Sequence, residues 1–379
     1  MALKKGAWEL IFDVGEVKIP VRLNVSADGK WSISNSSEII QIDSIEWNNS
    51  NFHVKLPLFN TVFDGAIINE NHIRGKWSDN SRDTVYEIPF EAKFKSGGQV
   101  SGFAKNSQTI TFNAIFSPHN ANEKTNAVGL FSFNEKKVEG TFMTESGDFR
   151  FLEGESNGRD LYLSCFDGTH LFYFTATREG DSLVNGTFYS GKHWKEPWEA
   201  YSDPKASLRN PDSLTQSRDT EGHLRFNARS ITGENILFDS NSFKGKVSIV
   251  QVFGSWCPNC TDESIFLKNL YNKYASQGLQ VLPVAFERID DFAKNKEIVS
   301  RQFTQLELPY SWYYGGLKSE ASSVFADLSK ISSFPTAIFI DKTGKIRKIH
   351  TGFYGPGTGK YYDHHTEILD MFVQQLLSE

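Results

Sequence analysis

The chain has 379 residues, 39% of them hydrophobic, with 40 Lys and Arg against 46 Asp and Glu and a formal net charge of −6. That length suits two or three domains, and the charge balance gives no sign of a nucleic-acid surface. No apolar run approaches the roughly 18 residues of a membrane-spanning helix.

The start, Met1-Ala-Leu-Lys-Lys-Gly6, has no apolar h-region. The chain is therefore either cytosolic or a mature form whose signal peptide has been removed. From residue 7 to residue 200, short alternating segments follow one another, bounded by Gly, Asn and Asp: Trp8–Phe12, Val17–Leu23, Phe52–Leu56, Thr109–Phe112, Asp148–Phe151, Leu161–Leu163 and Leu171–Thr175. Period-two alternation with turn residues every ten or so positions predicts antiparallel all-β structure. A weak internal repeat places Gly75 and Gly186 in similar Gly-x-aromatic steps, with others at Gly140-Thr-Phe142 and Gly102-Phe103. Up-and-down barrels carry such periodic positions, so residues 1–201 read as an all-β, barrel-like antiparallel domain, one closed barrel in preference to two sheets from a duplication. Trp31, Trp47, Trp77, Trp194 and Trp198 are expected to fill the barrel interior and its cross-strand pairs rather than line a ligand cup. Gly191–Glu199 is the least strand-like part.

Residues 202–223 are rich in Pro, Ser, Asp and Asn without apolar period and read as a linker. Beyond it, over 224–379, strands and helices alternate. Val247–Phe253 is a core strand, and the helix-like stretch Thr261–Ser276 puts Phe266, Leu270 and Tyr274 on one stripe. Leu279–Phe286 is continuously apolar, as a strand covered on both faces must be. Ile289–Leu306 and Glu320–Leu328 read as helices, Pro335–Ile340 as a strand, and Asp341–Gly344 as a hairpin turn into Lys345–Phe353. Ile368, Leu369, Phe372, Val373, Leu376 and Leu377 form the apolar face of a terminal helix. The layout is that of a thioredoxin-like α/β fold, so the chain reads as multidomain, an all-β domain followed by an α/β domain.

Only three cysteines occur, and two of them bracket a dipeptide in Trp256-Cys257-Pro258-Asn259-Cys260, between the core strand and the helix. This is the arrangement a dithiol/disulfide couple requires. Pro258 falls in the first helical turn, where a missing N–H costs nothing. Cys257 then sits at the helix N-terminus, where free N–H groups and the helix dipole favour the thiolate. It is the expected nucleophile, forming a mixed disulfide that Cys260, one turn further in, resolves. A zinc site would need a second ligand pair, and His350, His364 and His365 are not spaced to supply one, so no metal is expected. Structural disulfides usually close longer loops. Cys165 reads as a buried apolar residue.

Residues 224–379 resemble the TlpA/ResA-like branch of the thioredoxin superfamily, the extracytoplasmic thiol-disulfide oxidoreductases. The resemblance rests on Gly245-Lys-Val247, Phe253-Gly-Ser-Trp-Cys-Pro-Asn-Cys260, Glu263, and Phe334-Pro-Thr-Ala-Ile-Phe-Ile340 followed by Asp341-Lys-Thr-Gly-Lys345. The whole chain resembles a two-domain redox protein of Bacteroidetes type. The resemblance implies that Pro335 is a cis-proline facing the cysteines and aligning substrate, with Phe334, bulky for this position, before it. It implies that Glu263 handles the proton of the inner thiol and that Trp256 shields the site. Gln251 stands where thioredoxins proper carry a buried acid, which shifts proton handling toward Glu263.

The resulting expectation is a disulfide reductase of extracytoplasmic proteins in the periplasm or cell envelope, recharged by a separate thiol reductant that could be membrane-bound, with no organic cofactor because the dithiol stores both electrons. Two alternatives stand beside it. A thiol peroxidase would need Pro-x-x-x-Thr/Ser-x-x-Cys, but Val250 and Gln251 stand where proline is required. An envelope ligand-binding module with a docking thioredoxin-like domain would leave Cys257 unreactive.

Overall fold

The computed structural model describes residues 3–96 and 108–379; the Gly102-Phe103 step and the first two residues lie outside them. The chain divides into two compact units, Met1–Thr144 with Phe149–Leu208, and Glu145–Asp148 with Arg209–Glu379. No helix among the described residues is long and apolar enough to cross a membrane.

The first unit is all β, as the alternation predicts, but it is not one barrel. An open nine-stranded antiparallel sheet runs from Glu38–Ile42 through Trp31–Asn35, Lys18–Val25, Gly6–Asp13, Glu87–Phe94, His72–Asp79, Thr61–Asn69 and Asn51–Lys55 to Glu46–Asn48. A second sheet closes on itself, because Lys137–Thr144 pairs with both Leu152–Ser156 and Thr125–Asn134. Alternation tells which faces are buried, whereas closure depends on which distant edges pair, and that leaves no trace in the period. Phe116, Phe131, Phe142, Phe174 and Trp198 fill the closed barrel, together with Cys165, fully buried with its thiol pushed up by burial.

Three further expectations change here. Trp31, Trp77 and Trp198 are buried, but Trp47 is 47% and Trp194 48% exposed. Trp47 lies on an edge strand with no partner beyond it, and the Trp194 indole N–H donates to Glu196 Oε1 at 3.0 Å. The segment read as least strand-like contributes the regular strand Trp194–Ser202. Asp148–Phe151 is not one strand: Asp148 ends the short strand Gly147–Asp148, and Arg150, at φ 60°, breaks the extended run before Leu152–Ser156.

The second unit carries a seven-stranded mixed sheet in the order Asn235–Phe238, Phe226–Arg229, Tyr313–Leu317, Leu279–Glu287, Val247–Phe253, Thr336–Ile340 and Ile346–Thr351. Val247–Phe253 and Leu279–Glu287 run parallel, and Thr336–Ile340 lies antiparallel on the other side. On one face Val247, Ile249, Ala337 and Phe339 pack against Phe266, Leu267 and Leu270 of helix Pro258–Tyr274 and Leu369, Val373 and Leu376 of helix Lys360–Ser378. On the other, Val250, Val252, Val284 and Phe286 meet Phe226, Phe238 and Phe325. Helix Phe292–Gln305 adds Val299 and Phe303 near the end of the central strand.

Glu320–Leu328, expected as a helix, shrinks to one turn, Ala321–Val324. Phe325 leaves helical dihedrals (φ −96°, ψ 55°) and buries its ring against Phe226 and Phe286; core burial there outweighs helix propensity. From Arg209 onward the Pro- and Ser-rich stretch packs on this unit. Asp212 accepts from Lys348 Nζ at 2.9 Å and His350 Nδ1 at 2.6 Å, and Ser217 bridges to Leu328.

Candidate redox site

The central strand Val247–Phe253 is buried at every position and delivers the chain to Gly254-Ser-Trp-Cys257 at its C-terminal end. Glycine is required at 254: a Cβ there would lie 2.3 Å from Trp256 Nε1 and 2.9 Å from the Phe286 carbonyl oxygen. Cys257 is the N-cap of the following helix, its dihedrals extended (φ −109°, ψ 109°) and its sulfur accepting from the Cys260 N–H at 3.2 Å. Pro258 opens the helix without removing any hydrogen bond. Cys257 and Cys260 are joined as a disulfide with Cα atoms 5.2 Å apart. The outer residue is 6% and the inner 1% exposed.

The Phe334-Pro335 bond is cis, and the Phe334 carbonyl oxygen lies 3.6 Å from Cys257 Sγ. The Pro335 carbonyl is held by the Gly352 N–H at 2.8 Å. The bulky Phe334 packs its ring 5.4 Å from Trp256, whose own indole N–H donates to the Phe286 carbonyl at 3.0 Å. Cys257, Trp256, Phe334 and Pro335 thus meet at one surface. Asn259, between the cysteines, donates to the Asp148 carbonyl at 3.3 Å, and Asp148 in turn accepts from the Gly355 N–H.

Behind the sulfurs lies a polar layer. Glu263 is 1% exposed; burial pushes its carboxyl up to about 8, against a hydrogen bond from Gln251. The Gln251 amide donates to Glu263 Oε2 at 2.9 Å, to Ser264 Oγ at 3.1 Å and to the Cys260 carbonyl at 3.3 Å. The departure from the thioredoxin pattern at 251 therefore replaces a buried charge with a neutral amide that ties the inner cysteine's backbone to the carboxyl. A second buried carboxyl escaped the sequence reading. Glu287 accepts from Ser255 N at 2.9 Å and Ser255 Oγ at 2.7 Å, and burial raises it to about 7 against those bonds and Arg288. Its signal was available: a charge terminates the apolar strand Leu279–Phe286 at its C-terminal end, where α/β sheets gather their sites. Gln302, donating to the Ser255 carbonyl and Thr261 Oγ1 at 3.3 and 3.2 Å, carried none.

A helix-capping cysteine bonded to a partner one turn on, beside a cis-proline at the end of the neighbouring strand, is the arrangement of a thioredoxin-like thiol-disulfide site. Residues 223–362 match the redoxin family model; the N-terminal β unit lies outside that match. The thiol-disulfide oxidoreductase ResA of Halalkalibacterium halodurans is 26% identical over 136 residues, 36% of this chain and 70% of that protein. ResA of Bacillus thuringiensis subsp. konkukian is 27% identical over 113 residues, 30% of this chain and 59% of that protein. Among solved structures, a putative thiol:disulfide interchange protein DsbE from Chlorobium tepidum aligns over 45% of this chain and 99% of its own, with 19% identity and a TM-score of 0.31.

Proposed function

We propose that this protein reduces disulfides of proteins outside the cytoplasm, with Cys257 as nucleophile, Cys260 as resolving thiol, Glu263 as acid/base and Pro335 as substrate aligner beside Phe334 and Trp256. The observation that carries the reading is the Cys257–Cys260 pair capping a helix N-terminus, with the buried Glu263 hydrogen-bonded through Gln251 to the Cys260 backbone.

The cycle starts from the dithiol. The Cys257 thiolate, favoured by the free N–H groups of the helix start, attacks one sulfur of the substrate disulfide. A mixed disulfide forms and the substrate's other sulfur leaves as a thiolate. Glu263, as a carboxylate, takes the Cys260 proton; the new thiolate attacks Cys257 Sγ, closing the Cys257–Cys260 disulfide and releasing the second substrate thiolate. The substrate gains two electrons and the protein loses two. A carboxyl poised near neutrality suits this transfer. An external thiol reductant returns the electrons, and the dithiol needs neither metal nor organic cofactor. A periplasmic or envelope setting agrees with the TlpA/ResA resemblance.

The test is insulin-disulfide reduction by the full chain, with Cys257→Ser and Cys260→Ser. Turnover should vanish in the first, and the second should accumulate a mixed disulfide visible by mass spectrometry. In the reduced wild type, iodoacetamide should label Cys257 before Cys260. Turnover that survives Cys257→Ser, or Cys260 labelled first, overturns the assignment.

A further inference from the structure

Behind the sulfurs, one side chain holds both the buried carboxyl and the backbone of the inner cysteine. Gln251 is wholly buried in the central strand, and its Nε2 faces three oxygens, Glu263 Oε2, Ser264 Oγ and the Cys260 carbonyl, at 2.9, 3.1 and 3.3 Å. Ser264 Oγ in turn donates to the Cys260 carbonyl at 2.9 Å. Three acceptors around the nitrogen fix which way the amide points: turned over, its oxygen would face a carbonyl and a carboxyl oxygen.

That bond takes up Glu263 Oε2, and Oε1 accepts no hydrogen bond among the described residues. Glu263 stands three residues beyond Cys260 on helix Pro258–Tyr274, so the two side chains share a face. The titratable neighbour from outside this helix is Tyr310. Its hydroxyl donates to the Ser264 carbonyl at 3.1 Å, and burial with the Glu263 charge raises it, so it stays a neutral phenol. No cation among the described residues acts on Glu263. The Gln251 N–H is therefore the one group there that opposes burial, which by itself holds the carboxyl neutral.

We propose that Gln251 is a positioning residue for the resolving step: it holds Glu263 by Oε2, leaves Oε1 as the oxygen that takes the Cys260 proton, and favours the charged carboxylate that can take it. The proposal rests on the disulfide-reductase reading with Glu263 as its acid/base, and adds the group that governs that carboxyl. In the step, the proton passes from Cys260 Sγ to Glu263 Oε1. The Cys260–Cys257 bond forms as the bond from Cys257 to the substrate breaks, and the electron pair of the broken bond leaves with the substrate thiolate.

The experiment uses the full reduced chain and a peptide dimer joined by one disulfide. Acid quenching and mass spectrometry follow reduced protein, mixed disulfide and oxidised protein, which separates attack by Cys257 from resolution by Cys260. A hydrogen bond to an ionised group is about twice as strong as one to a neutral group, so in Gln251→Met, similar in volume but without a donor, the midpoint of resolution rate against pH should rise by about one unit. Near neutral pH, resolution should fall about three- to tenfold while attack stays within about twofold. Because Gln251 acts through Glu263, adding Gln251→Met to Glu263→Gln should change resolution by less than about twofold. Gln251→Asn, whose amide falls a methylene short of Glu263, should shift the midpoint the same way and carries the test if Gln251→Met does not fold. An unmoved midpoint in the folded variants, or an equal fall in the Glu263→Gln background, overturns the proposal while leaving the reductase reading intact. Resolution by Glu263→Gln as fast as wild type overturns the acid/base assignment, and absence of any mixed disulfide at Cys257 overturns the reductase reading itself.

Discussion

Glu263→Gln isolates the contribution of one buried carboxyl. In the folded oxidised protein burial raises Glu263 from 4.5 to about 8, so the folded state holds this proton more tightly than the unfolded chain. The corresponding stability is fully present below pH 4.5 and is lost as pH rises through about 8. Linkage with these two values gives a cost of ionisation of about 1 kcal/mol at pH 5, about 3 at pH 7 and close to 5 at pH 9. Glutamine keeps the shape and cannot ionise, so the variant should gain on wild type by these order-of-magnitude amounts as pH rises. Glu287 titrates in the same range but is present in both proteins and cancels in the difference. The helices longer than one turn among the described residues, Pro258–Tyr274, Phe292–Gln305 and Lys360–Ser378, all belong to the redox unit. Urea unfolding followed by helical circular dichroism at pH 5, 7 and 9 therefore reports on that unit. Parallel pH dependence of the two proteins would refute the reasoning, because it would mean that Glu263 is ionised in the fold without penalty. The same variant should also slow release of the mixed disulfide more than its formation.

Gly254→Ala should sharply reduce both stability and insulin reduction, since its Cβ would lie 2.3 Å from the Trp256 indole nitrogen and 2.9 Å from the backbone oxygen of Phe286; overpacking of this kind costs about 1–3 kcal/mol, and an unchanged urea midpoint would contradict it. Asp212 shows the opposite linkage sign. Burial would raise it, yet hydrogen bonds from His350 and Lys348 bring it down to about 2, so its stabilisation is present above 3.8 and is lost as pH falls through about 2. With its side chain 31% exposed, solvent screening leaves about 1–2 kcal/mol. Asp212→Asn should lower neutral-pH stability by that amount and flatten the acid limb; an acid limb that superimposes on wild type would rule this out.

What the sequence determined by itself was local. The three-residue step from Cys257 to Cys260, Pro258 in the first helical turn, the wholly apolar strand before them and the 3.6-residue stripe of Phe266, Leu270 and Tyr274 all follow from near neighbours along the chain, where steric and periodic rules act directly. The Phe334-Pro335 motif was legible from resemblance, and the structure sets it beside Cys257. Tertiary structure alone decided the rest. Alternation announced the strands of the β unit but not that one sheet stays open while the other closes, because edge pairing is settled by packing between distant segments. Gln251 meets Glu263 across 12 positions, Ser255 meets Glu287 across 32, and Asp212 meets His350 across 138. Each of these contacts sets the energy of a charge, and a charge's energy depends on which groups surround it after the chain has folded.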